Sequence, residues 1–229
     1  TDQSRRALQN QANFPLKFHI DRAPPLVKFA APFGILEASE GGVLPVTVRG
    51  VEASLVQKSL QMPATTLRVG DDDAAIARWL RRVDDADDTD YRQERNATGE
   101  EITVNYTGTK SVFEDAPAGG TRRELTLTPP GGAKAIEVVG IPLAERGFHV
   151  VEIASPELGA ALLGRRATRY VATAALVTNM AVHFKWGRES SLAWVTSLDS
   201  GRPVPGAEIR VTDSCTGRLL ARGTADKAG

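Results

Sequence analysis

From residue 26 onward the chain is a succession of short apolar-alternating runs cut by turn signals. The runs are "VKFAAPFGILE", "LPVTVRGVE", "ITVNYTG", "ELTLTPP", "KAIEVVGI", "FHVVEIAS", "RYVATAALVTNMAVHFKW", "SLAWVTSL", "AEIRV" and "RLLARG". "EGG" at 40–42, "PPGG" at 129–132 and "ERG" at 145–147 punctuate them. Alternation with a period of two puts apolar side chains on one face of a strand. Many short strands with turns this frequent predict an all-β chain of antiparallel sheets packed as a sandwich. A further short run, "LKFHI" at 16–20, precedes them, and Pro24–Pro25 cannot continue a central ladder after it.

One segment follows a different period. In "DDDAAIARWLRRVDD", Ile76, Leu80 and Val83 recur at i, i+4 and i+7 with Trp79 beside them, which predicts a helical insertion near 73–84. Asp71–Asp73 suit the positive end of the helix, and one of them can cap it. A single helix in a β domain is expected to cover a sheet edge or the open end of the sandwich. "SPELGAALLG" at 155–164 reads as a further helical turn.

The run from Tyr170 to Trp186 is too long for one ordinary strand, and its apolar face shifts. Tyr170, Ala172, Ala174 and Leu176 form one alternating set; Met180, Val182, Phe184 and Trp186 form another. "TNM" at 178–180 is the expected junction between two domains. The division is then 1–25 as a leading strand or linker, 26–178 as a first domain, and 179–229 as the truncated start of a second. A direct strand-to-strand join leaves little hinge freedom. In the second domain, "SSLAWVTSLDSGRPVPGAEIRVTD" reads as a pair of facing strands, with Leu192, Trp194 and Leu198 opposite Ala207, Ile209 and Val211. Burial of Trp194 would anchor that core, at about 3–5 kcal/mol for Trp194→Ala.

Charge excludes some partners. Lys+Arg and Asp+Glu both number 28, so net charge is zero and nothing in bulk draws the chain to nucleic acid. No apolar run approaches the roughly 18 residues of a membrane span, so direct membrane insertion by this segment is not expected. The single cysteine, Cys215, cannot form an intrachain disulfide.

Tests for chemistry come back empty. His19, His149 and His183 are scattered through strand-like runs, without partners at metal-ligand spacing. Ser190 and Ser191 lack a nucleophile elbow, and no glycine-rich phosphate loop follows a strand. "DDADDTD" at 84–90 offers oxygens at alternate positions but lacks the glycine and distal glutamate of a calcium loop. Asn96 and Asn105 open Asn-x-Thr sequons, a weak signal alone. Cys215 has no identifiable activating base. The expectation is therefore a non-enzyme with no catalytic, cofactor-binding or metal-binding residues and no cofactor.

"LAWVTSLDSGRPVPGAEIRVTD", continued by "GRLLARGTADKAG", resembles the start of a macroglobulin-like domain in bacterial α2-macroglobulin-type proteins. "GFHVVEIASPELGAALLG" and "RRATRYVATAALVTNMAVHFKWG" resemble the segment joining two such domains, and "APPLVKFAAPFGILE" resembles a domain opening. The resemblance implies macroglobulin-like β-sandwich domains from a protease trap, in which a bait segment is cut and the molecule rearranges, often with a Cys–Gln thioester. The thioester motif is absent, since Thr-Gly-Arg follows Cys215. On this reading the chain is a non-catalytic scaffold segment of a broad-spectrum endopeptidase inhibitor. Its partners would be trapped proteases and neighbouring macroglobulin-like domains, in the periplasm or cell envelope, with any membrane anchor outside this segment. The alternative is an Ig-like surface adhesin or interaction module of the bacterial envelope.

Overall fold

The computed structural model describes residues 3–7, 12, 15, 17–19, 23–51, 62–116, 119–127 and 136–229. The strand expected at 16–20 falls partly outside these; Lys17–His19, which are described, carry no strand.

Among the described residues eight strands build a sandwich. β1 (Leu26–Phe29), β3 (Val43–Arg49) and β8 (Ile136–Pro142) form a three-stranded sheet in the order β1-β3-β8. β2 (Phe33–Glu37), β4 (Met62–Arg68), β7 (Thr121–Leu127), β9 (Gly147–Ser155) and β10 (Arg169–Thr178) form a five-stranded sheet in the order β2-β10-β9-β4-β7. All pairings are antiparallel except β2 with β10, which is parallel. The run "VKFAAPFGILE" is thus divided, its first half in one sheet and its second in the other. Val46, Val48 and Ile141 of the smaller sheet meet Met62, Val151, Ile153 and Val177 of the larger in one buried cluster. β5 (Tyr91–Arg95) and β6 (Glu101–Asn105) pair as a separate, exposed hairpin.

β9 is buried on both faces, as its nearly unbroken apolar sequence "GFHVVEIAS" requires. Val151 and Ile153 face the inner core. Phe148 and Val150 face outward, where helix α1 (Asp73–Asp85) covers them with Trp79 and Val83. The helix therefore lies on the outer face of the five-stranded sheet, not at an edge or open end as its position in the sequence suggested. It makes a third layer. The reason is on the sheet: its outer face carries Leu67, Val69, Phe148, Val150 and Ala174, which would otherwise face water. Asp72 caps the helix, its carboxylate accepting from the Ala75 N–H at 2.9 Å. Helix α2 (Pro156–Leu163) follows β9, with Ser155 accepting from Leu158 N–H at 3.0 Å, Pro156 in its first turn, and Gly164 ending it with φ +65°.

Only Asn179 separates β10 from β11 (Met180–Lys185). β11 pairs antiparallel with β12 (Leu192–Ser197), and β13 (Glu208–Thr212) with β14 (Leu219–Thr224). The facing strands read in "SSLAWVTSLDSGRPVPGAEIRVTD" are thus not ladder partners. A single bridge, Thr196 with Pro203, starts such a pairing, and Pro203 and Pro205 withdraw the N–H groups that would extend it.

Candidate functional site

The titratable candidates stay apart. His149 is buried at the start of β9, its Nε2 2.7 Å from the Glu145 carbonyl oxygen. Burial, with help from the nearby Arg68 and Arg123 charges, holds its pKa below the usual histidine value. His183 sits on β11, 3.3 Å from Thr196 Oγ1 and tilted against Trp194. His19 is exposed in the leading segment. The Cys215 thiol is exposed, and its backbone N–H donates to Asp213 Oδ1 at 2.9 Å. Ser191 Oγ accepts from the Gly187 N–H. Among the described residues no three His, Cys, Asp or Glu side chains gather at metal-binding distance.

The sequon asparagines and the aspartate run shape turns and ion pairs. Asn96 Oδ1 accepts from the N–H groups of Thr98 and Glu100, both at 3.0 Å, and Asn105 Oδ1 from Thr107 at 2.9 Å. Asp90 pairs with Arg92 at 2.6 Å, and Asp87 with Arg169 at 3.3 Å. Among the described residues one carboxylate is buried. Glu152 on β9 projects to the outer face of the larger sheet, where it accepts from Ser111 Oγ and Val112 N–H, both at 2.6 Å. Burial raises its pKa above the ordinary carboxylate value, while those two hydrogen bonds pull it back. It pins the 106–116 loop beneath α1; the sequence signal, a lone Glu in an apolar strand, is visible only in retrospect.

The remaining feature is apolar. Met180, Val182, Phe184 and Trp186, the second alternating set of the 170–186 run, are each about half exposed or more. Trp194 is 42% exposed, its indole N–H donating to the Ala228 carbonyl at 2.8 Å. The buried anchor of these strands is its neighbour Val195, at 2%. Val195 N–H donates to the Gly229 carbonyl and its own carbonyl accepts from Val204 N–H. β11 to β14 thus line an open groove of about 700 Å³, walled by Phe184, Trp186, Leu192, Trp194, Ile209 and Leu220. Such a surface can bind apolar partners; it holds no group poised for chemistry.

These strands coincide with a match to known proteins. Residues 177–229 match the family described as "Bacterial alpha-2-macroglobulin MG3 domain". The chain is similar to bacterial alpha-2-macroglobulin. Among solved structures, native alpha-2-macroglobulin from Escherichia coli spanning domains NIE-MG1 shares its fold: TM-score 0.54, 18% identity, covering 90% of this chain and 85% of that one. A longer structure of the same protein, spanning MG0-NIE-MG1, has TM-score 0.49 and 17% identity, over 90% of this chain. The chain spans 56% of that longer structure. Comparison with the sequences of curated proteins gives no match. The macroglobulin-like β-sandwich with a helical insertion, read from the sequence, is the observed fold. Among the described residues no helix is long and apolar enough to cross a membrane.

Proposed function

We propose that the chain is a non-catalytic scaffold segment of a bacterial α2-macroglobulin-like endopeptidase inhibitor, a protease trap. The observation that carries this is the match of residues 177–229 to the MG3 domain of that family. The sandwich fold shared with the NIE-MG1 region of the Escherichia coli protein supports it. Residues 26–178 form a complete macroglobulin-like domain with α1 inserted, and 179–229 begin a second. The partners are neighbouring domains of the same kind and, for the whole inhibitor, the proteases it traps, in the periplasm or cell envelope.

The physical role is mechanical. A sandwich with central strands buried on both faces resists deformation, and the one-residue join at Asn179 passes movement from one set of strands to the next. The test uses the full-length protein, incubated with several endopeptidases. Residual activity on a large protein substrate should fall while activity on a small peptide substrate persists. Cleavage of the protein with undiminished activity on the large substrate would refute the trap.

A further inference from the structure

Helix α1 has two occupied sides. Trp79 and Val83 enter the core over the five-stranded sheet. Ala74 and Arg81, seven residues and so two turns apart on one face, meet the β13–β14 hairpin instead, together with Asp73 of the first turn. Asp73 Oδ1 accepts from Arg210 Nη2 at 3.0 Å, and its Oδ2 lies 3.0 Å from Arg210 Nε, a two-point pair. Thr212 Oγ1 donates to the same carboxylate at 3.3 Å. One turn pair further on, Arg81 Nη2 donates to the carbonyls of Ser214 at 2.8 Å and Cys215 at 2.7 Å. Between these contacts the backbones close up: a Cβ on Gly217 would stand 2.4 Å from Ala74 Cβ.

The second tie between the two parts is the strand join itself. Asn179 Oδ1 accepts from Ser39 N–H at 3.0 Å, and Asn179 O accepts from Leu198 N–H at 2.8 Å. A body held at two separate points can turn only about the line that joins them, so the α1 contacts remove the free swing that the join at Asn179 alone would leave. We infer that α1 is a latch, and that the Asp73–Arg210 pair holds β11–β14 at a fixed angle to the sandwich, so that its release lets them swing about Asn179. The latch is built to open. Its contacts are polar or between small residues, and its ion pair is partly exposed, with side-chain accessibilities of 30% for Asp73 and 45% for Arg210. Pairs of that kind hold weakly and are screened by salt. The inference concerns contacts within this chain and stands whether or not the protease-trap reading does.

The test is a distance measurement on the whole chain. Spin labels are attached at Thr126→Cys on β7 and Thr224→Cys on β14, both exposed positions, in a Cys215→Ser background. The expected result is one narrow distance distribution, lost in Asp73→Ala and in Arg210→Ala, with the double variant no broader than either single one. Arg210→Ala leaves α1 untouched, so loss of the peak there cannot come from an unravelled helix; unchanged helical circular dichroism checks this. A narrow peak kept in both single variants would overturn the latch, since the Asp73–Arg210 pair would then not be what holds the angle. A peak lost in Asp73→Ala but kept in Arg210→Ala would overturn it too.

Discussion

Trp79→Ala removes the side chain on which the third layer rests. Trp79 is 3% exposed, and its ring centroid lies 5.6 Å from that of Phe113, tilted by 53°. It belongs to the same buried cluster as Phe148 and Val150 of β9. Truncating a buried aromatic to alanine costs about 3–5 kcal/mol, part of it the cavity left behind. The tilted pair with Phe113 accounts for about 1 kcal/mol of that. The expected loss is therefore about 4 kcal/mol, a large share of the roughly 5–15 kcal/mol by which a domain is stable. Leu80, one residue along and 38% exposed, is the internal control: Leu80→Ala should cost about 1 kcal/mol or less. Urea unfolding followed by circular dichroism reads both, as a fall in midpoint at constant slope. If Trp79→Ala lost no more than Leu80→Ala, α1 would not be docked on the sheet and the three-layer description would fail.

The buried pair on β9 makes stability depend on pH in opposite senses. The His149 pKa is lowered from 6.5, so the unfolded chain binds the proton better, and stability is lost as pH falls below that value. The Glu152 pKa is raised from 4.5, so its contribution is full below that pH and is lost as pH rises through the folded value. His149→Gln keeps a donor for the Glu145 carbonyl but no longer titrates; unfolding free energies between pH 5 and pH 7 should lose the acid-side decline, and an unchanged profile would refute the assignment. In the C-terminal strands, Trp194→Ala should cost about 1–2 kcal/mol, well short of a fully buried tryptophan. A loss of about 4 kcal/mol in chemical denaturation would mean that the groove closes over the ring.

What was legible in the sequence was whatever local pattern determines. The i, i+4, i+7 spacing of Ile76, Leu80 and Val83 with aspartates ahead gave a helix capped at Asp72. The change of apolar face across "TNM" located the break between β10 and β11 at Asn179. β4 was missed because Pro63, Thr65 and Thr66 dilute its alternation, although Met62 and Ala64 are fully in the core. The parallel pairing of Phe33–Glu37 with Ala174–Thr178 joins segments far apart in the chain, and no local signal encodes it. Periodicity gives the two faces of a strand but not what covers them. Hence Trp194 was expected to be the anchor, whereas its buried neighbour Val195 takes that part. The helix was read correctly as a helix and misplaced for the same reason: the apolar outer face that calls for it is assembled from β4, β9 and β10 together.

Hydrogen exchange on the monomeric chain tests the central structural claim, that the eight sandwich strands close a core and β11–β14 leave theirs open. Amides of β9 and β10, buried between two layers, should exchange only through global unfolding. Those of β11–β14, whose large apolar side chains line an open groove, should exchange through smaller openings and respond weakly to Trp79→Ala. Protection across β11–β14 as strong as in β9, lost in step with it when Trp79 is removed, would contradict the account.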